Sequence, residues 1–90
     1  MKRTLLIKTK GFEKEYKALE ELSKKGYICY RVPMSNLPFD IICVDPYERA
    51  LRLIEVKSPK ARLTERQKFF KSLIEKLNIN KVTYEVMVVE

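Results

Sequence analysis

Apolar and polar positions change period several times along the chain, and each change marks an element. From Phe12 to Lys25 the apolar residues Phe12, Tyr16, Ala18, Leu19 and Leu22 fall on one side of a helix turning about 100° per residue. Gly26 follows where a helix C-cap glycine belongs, so the pattern predicts helix to Lys25. Tyr27 to Val32 is β-branched and aromatic and is stopped by Pro33. Phe39 to Val44 reads as a second strand, Asp45-Pro46-Tyr47-Glu48-Arg49 as a turn, and Ala50 to Lys57 as a third strand that closes an antiparallel hairpin. Thr64 with Gln67 forms a capping box ahead of a helix whose apolar face is Phe69, Phe70, Leu73, Ile74 and Leu77. Tyr84 to Val89 reads as a closing strand, and Thr4 to Lys8 as a short edge strand or a frayed arm. The order α-β-β-β-α-β predicts one α/β (α+β) domain over residues 1–90, a mixed sheet of about four strands flanked by two helices.

Composition narrows the chemistry. The 90 residues carry 19 Lys and Arg against 12 Asp and Glu, a formal charge of +7, and no histidine. Histidine-dependent triads and His-ligated zinc are therefore excluded, leaving carboxylates, lysine, hydroxyls or a hard metal. A small basic domain points to a polyanionic partner. The apolar runs are too short to span a bilayer, and the opening residues return to charge too soon for a signal peptide, so the expectation is no membrane and a cytoplasmic location. Cys29 and Cys43 sit inside separate apolar runs, which predicts buried reduced thiols.

The informative residues are polar ones standing where the apolar pattern should exclude them. Glu15 falls between Leu22 and Leu19 near the middle of the first helix's apolar arc, whereas Glu13, Glu20 and Glu21 lie outside it; a rotated arc would exchange Glu15 for Glu13. A carboxylate on a buried stripe is costly unless it is paired or holds a cation. Asp40, one of only two aspartates, lies in an apolar strand, where Asp is disfavoured. A turn centred on Tyr47 and Glu48 makes cross-strand residue numbers sum to 95, so that Val44 faces Leu51 and Asp40 faces Glu55. Opposed Cβ atoms stand about 4.5–5.5 Å apart, where like charges repel. Lys57 projects to the same face as Glu55. Oxygen ligands with open water positions suit Mg2+, or Mn2+ in its place, and a cation held beside a lysine on a basic protein fits phosphodiester hydrolysis. The structural alternatives are Asp40 as a cap at the strand start and Glu55 with Lys57 as an exposed charge pair.

Taken together, Pro38-Phe39-Asp40, fourteen intervening residues and Glu55-Val56-Lys57 resemble the signature of the PD-(D/E)xK nuclease superfamily, and the resemblance covers most of the chain. Glu15, Lys25-Gly26-Tyr27, Arg31 and Ser35 are similar to features of archaeal Holliday junction resolvases. The stretch from Glu55 to Phe69 is closer to small virus-type replication-repair nuclease domains. One departure is Phe39, which stands where the signature has proline. The resemblance implies a restriction-endonuclease-like core in which Asp40 and Glu55 are metal ligands and the Val56 carbonyl completes the inner shell. It also implies that Lys57 is catalytic, that Glu15 holds metal-bound water or a second ion, and that a homodimer cuts branched DNA.

Other residues keep two readings. Gln67 is explained by its cap with Thr64, or also touches metal-bound water or phosphate. Ser35 contacts phosphate or only shapes a loop, and Lys60, Arg62, Arg66 and Lys68 bind DNA phosphates or form a solvated face. The expectation is a Mg2+-dependent endodeoxyribonuclease of DNA recombination or repair. The alternatives are a non-catalytic basic nucleic-acid-binding module and a subunit of a larger repair or restriction complex.

Overall fold

The structure, a computed structural model, describes residues 12–33 and 37–90; Ser35 and the stretch Thr4 to Lys8 lie outside the described residues. Its elements are α1 (Glu13–Lys24), β1 (Ile28–Arg31), β2 (Ile41–Asp45), β3 (Ala50–Lys57), α2 (Glu65–Leu77) and β4 (Val82–Val88), in the expected order. Glu13 and Glu15 occupy the first turn of α1, where negative charge complements the helix dipole. The helix ends in a Schellman motif: the Gly26 amide donates to the Ser23 carbonyl (3.0 Å) and the Tyr27 amide to the Leu22 carbonyl (3.2 Å). Gly26 has φ 92°, and a Cβ there would strike the phenol of Tyr47 from the β2–β3 turn.

That turn is fixed by Asp45, whose Oδ1 accepts the amides of Tyr47 (2.9 Å) and Glu48 (3.1 Å). The hairpin register sums to 95 as expected, from Asp45 opposite Ala50 to Ile41 opposite Ile54. It then slips. The Asp40 amide donates to the Ile54 carbonyl (2.9 Å), so Asp40 and Ile41 both address Ile54 and Asp40 stands outside β2. The expected ladder pair of Asp40 with Glu55 is therefore replaced by a bulge-like start to the strand.

The sheet runs β1-β2-β3-β4, with antiparallel pairs except for β3 and β4, which are parallel and need α2 as their crossover. β4 begins at Val82, two residues before the expected start, because pairing with Leu51 extends it. Ala18 and Leu22 of α1 pack on Ile41, Cys43, Ile54 and Val56 to form the buried core. On the opposite face α2 lies over Tyr84 and Phe39. It starts at the predicted capping box, with Thr64 and Gln67 bonded reciprocally. Its apolar face is split, with Phe70 and Ile74 half-buried while Phe69, Leu73 and Leu77 are exposed. Among the described residues no helix is long and apolar enough to cross a membrane.

Cys29 and Cys43 are joined in a disulfide, which corrects the expectation of reduced thiols. The β1–β2 register places the two residues directly opposite one another, with Cα atoms 4.1 Å apart. Burial of Cys43 agrees with the sequence reading; the pairing depends on a strand register that no tight turn announces.

Candidate active site

Side chains alternate along β3, so Ile54 and Val56 face α1 while Glu55 and Lys57 point to the other side. β3 lies between β2 and β4, and Glu55 is accordingly 5% exposed. Lys57 is its ion-pair partner, with Nζ 3.4 Å from Oε2 and both side chains largely buried. This is not the exposed charge pair of the structural alternative. Asp40 reaches the same place from the start of β2, where its Oδ2 accepts the Val56 amide at 2.9 Å. The bond has the character of the strand-start cap, and it also holds the carboxylate next to Glu55.

The electrostatics follow from that crowding. Burial first and then the Asp40 charge push the Glu55 carboxyl up to about 7 from an ordinary 4.5, with Lys57 only partly offsetting them. Glu15 is raised as well, first by burial and then by Asp40, against the hydrogen bond and charge of Arg31. Asp40 thus acts on Glu15 from one side and on Glu55 from the other. Glu15 is half-buried and Glu13 exposed, so the helix-one acid facing the cluster is Glu15. The Arg31 Nε donates to Glu15 Oε1 at 2.7 Å, and its guanidinium lies 3.8 Å above the Phe12 ring. Tyr84 completes the surroundings: burial, then the Glu55 and Asp40 charges, push its phenol up to about 12, so it stays a donor.

The remaining sequence-predicted residues are dispersed. Gln67 Oε1 accepts the Thr64 amide at 2.8 Å and so is committed to the cap. Lys68 pairs with Glu65 at 3.4 Å, and Lys60, Arg62 and Arg66 are exposed before and within the first turn of α2. Val56 contributes its amide to Asp40 while its side chain sits in the core. Sequence reasoning left two neighbours of the cluster out of the site. A charged residue in an otherwise apolar strand was the available signal for Arg31. Tyr84 gave none, since an aromatic in a strand reads as core.

Among the described residues no group of three or more Asp, Glu, Cys or His side chains stands ready to hold a metal ion. Glu15 is tied to Arg31 rather than converging with the other two acids. The adjacent pair Asp40 and Glu55 is still a donor set of the right kind, because Mg2+ is bound through one or two carboxylates and keeps several waters. A cation there would offset the burial and the Asp40 charge that together raise the Glu55 carboxyl. Comparison with known protein families, with curated proteins and with solved structures gives no significant match.

Proposed function

We propose that the chain is a Mg2+-dependent DNA endonuclease with a restriction-endonuclease-like core of the PD-(D/E)xK kind, acting inside the cell on branched or otherwise structured DNA. The observation that carries this reading is half-buried Asp40 beside buried Glu55, the charge of one raising the other, next to the Lys57 ammonium on a chain of net charge +7. Asp40 and Glu55 would hold the cation, which supplies Lewis-acid charge to a phosphodiester and makes neutral-pH attack by water feasible. Lys57, tethered by Glu55, brings a second positive charge to the oxygens on which negative charge builds during cleavage. Arg31 holds Glu15 in place by its hydrogen bond and partly opposes the burial that raises that carboxyl. The exposed cations Lys60, Arg62 and Arg66 supply sequence-independent attraction to phosphate. A homodimer suits a substrate with two strands to cut, and the exposed Phe69, Leu73 and Leu77 of α2 with Val86 and Val88 of β4 give it an apolar surface.

The test is cleavage of a four-way junction, a flap, a duplex and a single strand with and without Mg2+, with Asp40→Ala and Lys57→Ala as controls. Wild type is expected to cut at least one substrate only with Mg2+, and each substitution to lower the rate by 100-fold or more, on the order of 3 kcal/mol. Salt-dependent binding with no metal-dependent cutting would identify the basic binding module instead.

A further inference from the structure

Asp40 belongs to no strand, yet the segment that carries it is held on several sides. Tyr84, buried in β4, donates its phenol to the Pro38 carbonyl at 2.7 Å, bridging 46 residues of sequence. Its ring meets Phe70 of α2 edge-on with centroids 5.5 Å apart, and Phe70 lies against Phe39 at 5.8 Å. Asp40 follows directly: its carbonyl accepts the Val32 amide at 2.7 Å and its amide donates to Ile54 at 2.9 Å. Its carboxylate consequently arrives at the Val56 amide, beside Glu55.

We propose that Tyr84 is a positioning residue of this site, holding the Pro38 carbonyl, with Phe70 behind its ring, so that the Asp40 carboxylate stays against Glu55. The inference rests on the nuclease reading above. Two carboxylates pressed together repel, and the β2–β3 ladder has already slipped at Asp40, so the Pro38–Asp40 segment needs another restraint. A proline before the aspartate would supply one by fixing φ. Phe39 has no such constraint and is held by its ring instead. Tyr84 bonds to backbone and meets a ring edge-on, so it acts through Asp40 and not on substrate.

The experiment compares Mn2+ binding by isothermal titration and amide hydrogen exchange in wild type and Tyr84→Phe, with DNA cleavage as a third reading. Loss of the hydroxyl is expected to weaken Mn2+ binding about tenfold, as loss of outer-shell partners of metal ligands does. It should also raise the Mg2+ concentration for half-maximal cleavage by a similar factor, leaving KM for DNA unchanged. Protection of the Val56 amide should fall while amides of the β3–β4 ladder keep theirs, a pattern that general loosening would not give. Phe39→Leu loosens the same clamp from the other side and takes over if Tyr84→Phe does not fold. Wild-type Mn2+ affinity and Val56 protection in the folded variant would overturn the positioning role while leaving the nuclease reading intact. A wild type that neither binds Mn2+ nor cuts DNA would overturn both.

Discussion

Burial and the Asp40 charge leave Glu55 holding its proton to about pH 7 in the folded chain, against an ordinary value of 4.5 once unfolded. Between those values the native state binds a proton that the unfolded state has released, so stability falls as pH rises. The contribution is fully present below 4.5 and is lost through about 7. Glu15 is shifted in the same direction, whereas Glu85, lowered by its hydrogen bond to Arg52, loses stability only below its ordinary range. Without metal, the melting temperature should therefore drop between pH 5 and pH 8. A loss of about 1 kcal/mol corresponds to ~4–8 °C for a domain of this size. Glu55→Gln should flatten the slope in a calorimetric pH series, and a wild-type melting temperature that rises over this window would contradict the burial argument. Asp40 and Glu55 were legible as neighbours because each breaks a local rule of strand patterning, and Lys57 because it stands two residues from Glu55. Glu15, expected to join them, is paired with Arg31 instead. Arg31 bonded to Glu15 and Tyr84 bonded to Pro38 were not legible, since both contacts join residues far apart in the chain.

At the level of elements, what the sequence made readable was set by neighbours in the chain. The capping box at Thr64, the Schellman end at Gly26 and the hairpin register from Asp45 to Ile41 each depend on a few consecutive residues, and each appears as expected. The slip at Asp40, the split apolar face of α2 and the Cys29–Cys43 bridge depend on how elements lie on one another. The bridge has a measurable consequence: it closes a loop between residues 14 apart, which chain entropy alone makes worth about 3 kcal/mol. Reduction should lower the melting temperature by about 10 °C or more. Thermal melts with and without a phosphine reductant check this, and identical midpoints would mean that the bridge adds nothing to the stability of β1 on β2.

Across the whole molecule, β1, β2 and β3 pair with their neighbours in sequence, whereas β4 must find β3 across α2. Contacts between distant segments are closed at a cost in chain entropy and form slowly. β4 is therefore expected to dock last in refolding. Stopped-flow refolding should show early recovery of the β1–β3 meander and a later phase that buries Tyr84, read from tyrosine fluorescence; simultaneous recovery would count against that order. The parallel β3–β4 pair thus makes the order around Asp40 conditional on the slowest docking step. Tyr84 reaches Pro38 only from a docked β4, so a chain still lacking that strand has no phenol to hold the Pro38 carbonyl, and the Asp40 segment loses one of its tethers.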